Sequence, residues 1–376
     1  MKTISIQDLI APPVRGLQPY LPGKPISELE REYGVHDIVK LASNENPLGP
    51  GPHARAAMMQ ALTEIGLYPD GSGFELKRRL AAHHGISAEC LTLGNGSNDA
   101  LVLLAEAFLT PATEAVYSEH CFAVYPIVVQ ASGATARVTR ALPSHAAMPL
   151  GHDLEAMASS ITPRTRLVFI ANPNNPTGTW LAPGPLLAFL KGLPSATIAV
   201  VDEAYFEYSR ATDCPDATRW LDQLPNLVVL RTFSKAYGLA GLRVGYAISQ
   251  PAIAETLNRL RQPFNVNSVA LAAATAALGD VEHLRQSVEL NRAALEYLRA
   301  ALAELGLMVL PSAGNFLLVD LGRAAGPVYE GLLRRGVIAR PVGNYGLPNH
   351  LRITSGTLEQ TRRTVEALGG VLRNPM

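Results

Sequence analysis

The chain reads as an α/β protein, with a large domain on a mostly parallel central sheet followed by a smaller α+β domain. Two features of its texture predict this. From Glu89 to Ile248, short β-rich runs that are apolar throughout alternate with helical patterns. Strands without polar alternation must be covered on both faces, as in a parallel sheet flanked by helices. After Ala252 the order changes to long helical patterns that lead into short strand-like runs. A length of 376 residues, 48% of them hydrophobic, suffices for two domains with substantial cores.

Taken in order, the stretch from Ala11 to Pro25 is rich in proline and glycine and cannot form a regular helix. It reads as an ordered arm across the surface, packing with the C-terminal domain. Strands are expected at Cys90–Leu93, Glu114–Tyr117, Leu167–Ile170, Thr197–Val201, Leu227–Leu230 and Leu242–Ile248, with helices between them such as Asp99–Leu109 and Pro183–Leu190. Helices at Ala252–Arg261, Ser268–Leu278 and Val281–Leu305 then precede strands at Phe316–Asp320, Val337–Arg340 and His350–Thr354. The expected division is 1–40 for the arm, 41–262 for the large domain and 263–376 for the small one.

Lys+Arg and Asp+Glu both number 32, so no net field draws the chain to nucleic acid or to a membrane surface. The N-terminal segment has no apolar region after its positive charge, which argues for a cytoplasmic protein without a secretory signal. The most apolar run, Leu101–Leu109, is short and carries Glu106, so it reads as a buried helix and not a membrane span. Three scattered cysteines without CxxC fit reduced thiols, and the histidines show no ligand spacing, so no metal site is expected.

Five local signals sit mostly where a strand gives way to a loop, the place where open α/β sheets bind ligands. Leu93-Gly94-Asn95-Gly96-Ser97-Asn98-Asp99 opens a helix, and glycines there let the backbone approach an anion that the free N–H groups attract. By itself it reads first as an ordinary strand–turn–helix connection with Ser97 or Asn98 as N-cap. Asn172-Pro173-Asn174-Asn175-Pro176-Thr177-Gly178 is a rigid turn that can present an amide in a defined direction. In Val200-Val201-Asp202-Glu203-Ala204-Tyr205, strand alternation sends the two carboxylates to opposite faces, so only one can serve a given site. Asp202 is the candidate, with Tyr205 near it, and Glu203 reads as a solvated strand end. Lys235, in Phe233-Ser234-Lys235-Ala236-Tyr237-Gly238, lies between hydrophobic runs, and a desolvated lysine is the amine that forms Schiff bases. Arg243, between Gly241 and Gly245, suits a planar clamp on phosphate.

Together these match the needs of one cofactor, pyridoxal 5′-phosphate (PLP): a phosphate cradle, a carboxylate for the pyridine nitrogen, donors to the 3′-oxygen, an aromatic face and a lysine. The order of these elements resembles the fold-type I PLP aminotransferases. The strings Leu41-Ala42-Ser43-Asn44-Glu45-Asn46-Pro47-Leu48-Gly49-Pro50, Tyr68-Pro69-Asp70-Gly71, Asn172–Gly178, Thr232–Gly245, Arg340-Pro341 and Arg352-Ile353-Thr354 resemble, within them, the histidinol-phosphate aminotransferase family. The likeness runs from about Tyr20 to Gly356.

The resemblance implies that Lys235 holds PLP as a Schiff base and shuttles the substrate proton, while Asp202 keeps the ring nitrogen protonated. An ion pair at ~4 Å and an effective dielectric near ~20 is worth about 4 kcal/mol. It further implies Asn175 and Tyr205 at the 3′-oxygen, and Ser97, Asn98, Ser234 and Arg243 at the phosphate. Phe122 would stack on the ring, with Tyr125 as its rival. Tyr68 would reach the phosphate of the other subunit of a homodimer. Tyr20, Asn44, Arg340 and Arg352 would meet the substrates, histidinol phosphate and glutamate or 2-oxoglutarate. An aromatic amino-acid transaminase and a threonine-phosphate decarboxylase-like lyase share the fold and are the alternatives. A PLP-sensing regulator would carry a basic helix-turn-helix, and a nicotinamide dehydrogenase would need strand–GxGxxG–helix. Neither pattern is found.

Overall fold

The computed structural model describes residues 5–373, so the ends of the two outer expected segments, residues 1–4 and 374–376, lie outside the described residues. Its main sheet has seven strands in the spatial order Leu91–Gly94, Gly245–Ser249, Leu227–Thr232, Ile198–Asp202, Thr165–Ala171, Glu114–Ser118, Thr135–Thr139. Pairing is parallel except around Gly245–Ser249, which runs against both of its neighbours. That reversal matters for the site. It brings the start of Gly245–Ser249 level with the ends of Leu91–Gly94 and Leu227–Thr232, through the registers Gly94–Gly245 and Thr232–Gly245. One edge of the sheet thus gathers every loop singled out above.

The central strands are buried on both faces, between one core containing Val168, Val201 and Val229 and another containing Phe169, Val200 and Val228. Helix Ser97–Phe108 packs in the second, burying Ala100, Leu101 and Leu104. Strand Thr135–Thr139 escaped the sequence reading because it is an edge strand with mostly exposed side chains and so shows no apolar run.

The smaller unit holds the antiparallel sheet Arg340–Val342, Leu347–Thr354, Phe316–Asp320, Met308–Val309. Helices Val281–Glu304, Ala325–Leu333 and Leu358–Arg373 supply Leu298, Leu332 and Leu368 to its core. The run expected as one strand at Val337–Arg340 divides in two. Val337–Ile338 pairs in parallel with Val39–Lys40, and Arg340–Val342 joins the antiparallel sheet. The expected boundary at 262/263 also needs revision, because Ala270, Ala273, Ala274 and Ala277 of helix Ser268–Ala277 share the core of the large sheet with Leu76 and Val229. We place the division within Val281–Glu304, whose Leu284 touches the large core while Leu295, Leu298 and Leu302 enter the small one. The arm meets both units: Gln130 donates to the Pro13 carbonyl at 3.2 Å, and Arg340 to that of Leu21 at 2.5 Å. Among the described residues no helix is long and apolar enough to cross a membrane.

Glu203 corrects the expectation of a solvated strand end. It is 1% exposed and lies on the face of the sheet opposite to Asp202, beside Arg231 at 2%. Arg231 Nε donates to Glu203 Oε2 at 2.7 Å and its Nη2 to Asp216 Oδ1 at 2.9 Å, while Ala217 N–H donates to Glu203 Oε1 at 2.8 Å. The guanidinium also lies 3.4 Å from the Phe206 ring centre. A buried ion pair adds little net stability, but removing one member strands the other. Arg231→Leu is therefore expected to cost about 3 to 5 kcal/mol in denaturant unfolding, with part recovered when Glu203 is also made Leu. A loss below about 1 kcal/mol would show that the strands do not depend on the pair.

Candidate active site

The carboxyl edge of the large sheet opens into a cavity of about 440 Å³ that also receives Tyr20, Ser43, Asn44, Glu45 and Arg352. Its floor is built from loops whose glycines have steric reasons to be there. Gly96 has φ +84°, and a Cβ on it would come 2.4 Å from Arg243 Nη2. A Cβ on Gly245 would come 2.3 Å from the Ser97 nitrogen. Helix Ser97–Phe108 has no side-chain cap at its start, so the amides of Ser97 and Asn98 remain available where both residues line the cavity. Beside them Arg243 Nη1 donates to Ser234 Oγ at 3.3 Å and to the Ala240 carbonyl at 3.0 Å. Thr232 Oγ1, unnoticed in the sequence, donates to Ser234 Oγ at 3.0 Å and also lines the cavity. Two hydroxyls, free helix amides and a guanidinium form a cradle for a phosphate dianion.

Asp202 ends the strand Ile198–Asp202 and is 5% exposed. Tyr125 Oη donates to its Oδ2 at 3.0 Å and Ala204 N–H to its Oδ1 at 3.2 Å. No lysine, arginine or histidine among the described residues forms a salt bridge with it, and burial pushes its carboxyl up to about 6. A buried carboxylate without a cationic partner is costly, so this wall of the cavity suits a ligand carrying N–H⁺. Of the two aromatic candidates, Phe122 lines the cavity. Tyr125 is fully buried behind it, stacked on Phe169 at 4.8 Å between ring centres. The sequence missed its hydrogen bond to Asp202, because no local spacing links residues 77 apart.

Lys235 reaches in from the loop after Leu227–Thr232, with Nζ 3.4 Å from the Ser43 carbonyl and 5.6 Å from the Tyr205 ring centre. Burial lowers its amine to about 8, Arg352 and Arg243 push the same way, and Glu45 and Asp202 oppose them. Tyr205 Oη accepts from Asn44 Nδ2 at 2.8 Å, which leaves its own proton to donate. Asn44 adopts φ +56° and is fixed by Thr354, whose Oγ1 accepts its N–H at 3.0 Å and donates to its Oδ1 at 2.9 Å. Asn175 Oδ1 accepts from Arg352 Nη1 at 2.5 Å, so its amide nitrogen is left for the cavity. Arg352 Nη2 is spent on the Ala42 carbonyl at 2.7 Å, and its buried Nε has no partner.

Two expected residues lie elsewhere. Arg340 does not line the cavity, since it is turned to the Leu21 carbonyl with its guanidinium 5.9 Å from the Tyr20 ring centre. Tyr68 is 83% exposed against Phe264, outside the cavity of its own chain. The remaining set of cradle, unpaired carboxylate, lysine of lowered basicity and two polar groups near it fits PLP. Only the neutral amine attacks an aldehyde, so capture of pyridoxal phosphate by the cofactor-free protein should accelerate as pH rises towards about 8 and then level off. A stopped-flow profile still climbing tenfold per pH unit beyond about 9 would mark Lys235 as an ordinary lysine.

Residues 36–368 match the family model for aminotransferases of class I and II. Histidinol-phosphate aminotransferase 2 of Methylococcus capsulatus is 57% identical over 369 residues, covering 98% of this chain and 100% of that protein. Histidinol-phosphate aminotransferase 2 of Pseudomonas aeruginosa is 55% identical, covering 97% and 98%. Among solved structures, histidinol-phosphate aminotransferase from Sinorhizobium meliloti in complex with pyridoxal-5′-phosphate superposes with a TM-score of 0.88 at 30% identity, covering 97% of each chain. An aspartate aminotransferase mutant of Thermus thermophilus, 24% identical with a TM-score of 0.82, shares the fold. The chain belongs to the class I and II aminotransferases and, within them, to the histidinol-phosphate aminotransferase family.

Proposed function

We propose that this enzyme, with PLP held on Lys235, exchanges an amino group between histidinol phosphate and 2-oxoglutarate, giving imidazole-acetol phosphate and glutamate in histidine biosynthesis. The observation that carries this reading is a single cavity lined by two arginines, Arg243 beside the free helix amides and Arg352 from the small unit, and by Lys235, whose amine feels the charge of both. It is reinforced by relatives of that name at 55–57% identity over nearly the whole chain.

Bound there, PLP supplies a ring that accepts negative charge developing at the substrate carbon. In this reading Ser97, Asn98, Ser234 and Arg243 hold its phosphate, Phe122 covers the ring and Asp202 faces the ring nitrogen. Tyr125 and Ala204 keep the Asp202 carboxylate oriented and favour its ionised form. Asn175 and Tyr205 donate to the 3′-oxygen. The Lys235 amine would take the proton from the substrate carbon, hold it on Nζ and deliver it two bonds away, on the far side of the transferred nitrogen. Its lowered basicity suits both directions near neutral pH. Arg352 receives the α-carboxylate of glutamate and, in the other half-reaction, the phosphate of histidinol phosphate. Asn44 fixes Tyr205, and Arg340 serves the substrate indirectly by anchoring the arm that carries Tyr20.

The proposed assembly is a cytoplasmic homodimer with shared active sites. Met59, Leu62, Ile65 and Leu67 are exposed in the chain segment that leads to Tyr68, and exposed Phe264 stacks on Tyr68, apolar side chains that a second copy of the chain would cover. Tyr68 would then reach the partner's cofactor phosphate.

Steady-state kinetics should place histidinol phosphate above histidinol, phenylalanine and tyrosine in kcat/KM, because loss of the phosphate strands a buried guanidinium. The highest kcat/KM on phenylalanine, or carbon dioxide release from threonine phosphate, would overturn the substrate assignment. For the dimer, mixing Lys235→Ala chains with Tyr68→Phe chains should restore activity above that of either alone. A fully active monomer in sedimentation would contradict shared sites.

A further inference from the structure

Glu45 and Asp202 are the only acidic side chains that line the cavity among the described residues. Asp202 has its place in the account above, whereas Glu45 has entered only as a charge that opposes the lowered basicity of Lys235. Its presence is chemically awkward, because glutamate, 2-oxoglutarate and histidinol phosphate all enter as anions, and an acidic wall repels them. A carboxylate on the wall of an anion-binding cavity is of use to a substrate that offers it a proton donor. Apart from the reacting amine of glutamate and histidinol phosphate, only histidinol phosphate has one among these substrates: the N–H of its imidazole ring.

The chain holds the backbone of Glu45 firmly. Asn44, before it, is pinned to Thr354 and Tyr205. Asn46, after it, donates through Nδ2 to the Ala236 carbonyl at 2.9 Å and to Ser287 Oγ at 2.8 Å. Asn315 Nδ2 donates to the carbonyl of Glu45 itself at 3.4 Å. On the side chain, Lys40 Nζ occupies Oε1 at 2.6 Å, and Oε2 accepts no hydrogen bond from the described residues. One oxygen is thus tethered and the other left open on a backbone that cannot swing away, which is how a group is preorganised for a ligand.

Resting on the proposed reaction, we propose that Glu45 is a specificity-determining residue that accepts a hydrogen bond from the substrate's imidazole N–H, selecting this ring over phenyl rings and over a side-chain carboxylate. A charge-assisted bond gives a preference that a phenyl ring cannot match, while the same charge disfavours glutamate's γ-carboxylate at that place. The plain alternative is a surface ion pair with Lys40 that happens to border the cavity.

The test compares the PLP-loaded wild type with Glu45→Gln and Lys40→Met on histidinol phosphate, phenylalaninol phosphate and glutamate. Phenylalaninol phosphate keeps the phosphate and amine and replaces only the imidazole. In Glu45→Gln, the ratio of kcat/KM for histidinol phosphate over phenylalaninol phosphate should fall by about tenfold or more, mainly through KM. The glutamate half-reaction should hold or improve, which also shows that the variant is folded. Lys40→Met should keep the ratio or raise it. An unchanged ratio in Glu45→Gln, an equal loss on all three substrates, or a collapse of the ratio in Lys40→Met would each overturn the proposal. If the wild type does not turn over histidinol phosphate at all, the proposed reaction itself fails and takes this inference with it. Calorimetric titration of Lys235→Ala protein with histidinol phosphate, with and without Glu45→Gln, gives a binding readout free of catalysis, and equal affinities would count against Glu45.

Discussion

The site depends on the placement of a carboxylate and an amine, Asp202 and Lys235, in one desolvated cavity without contact between them. Water is withdrawn from both, so the amine loses basicity and the carboxyl gains it, each by burial first. Such groups persist in a fold only when their surroundings are fixed. Asp202 is bracketed by the Tyr125 hydroxyl and the Ala204 amide. Lys235 extends over Tyr205 towards the Ser43 carbonyl. Neither neutralises the other, and both stay available to a ligand inserted between them.

The sheet makes this possible through register. Parallel strands end on the same edge, and the reversed strand Gly245–Ser249 begins there, so Asp202, the loop of Lys235 and Arg243 converge from separate strands. On the opposite face, one residue beyond Asp202, Glu203 and Arg231 join the ends of adjacent strands. Alternation along Ile198–Asp202 thus serves chemistry on one side and cohesion on the other. The small unit closes the cavity with Arg352, whose hydrogen bonds to Asn175 and Ala42 tie it to the loop following strand Thr165–Ala171 and to the N-terminal segment.

Much of this was legible in the sequence, because loops that bind a phosphate or present a lysine need particular residues at consecutive positions. Gly94–Ser97, Asn172–Gly178 and Thr232–Gly245 announce themselves in that way. What the sequence did not reveal depends on partners far along the chain. Glu203 looked solvated because Arg231 is 28 residues away. Tyr125 could be read only as a stacking candidate, since its bond to Asp202 spans two core elements. Arg340 was expected at the substrate from the family resemblance, yet the arm claims its guanidinium while its partner in register, Arg352, lines the cavity. The domain boundary was misplaced because helix Ser268–Ala277 is alanine-rich, and alanine says little about which core it will enter. Glu45 lay within the most recognisable string of all, and only the three-dimensional cavity isolates its charge.

The central claim, that Lys235 is the amine to which PLP is attached in this cavity, is tested most directly by covalent trapping. Protein loaded with PLP is reduced with borohydride, digested and sequenced by mass spectrometry. The account predicts a pyridoxyl group on Lys235, together with loss of the visible absorbance of the cofactor on reduction. A label on another lysine, or none on Lys235 at full occupancy, would contradict it.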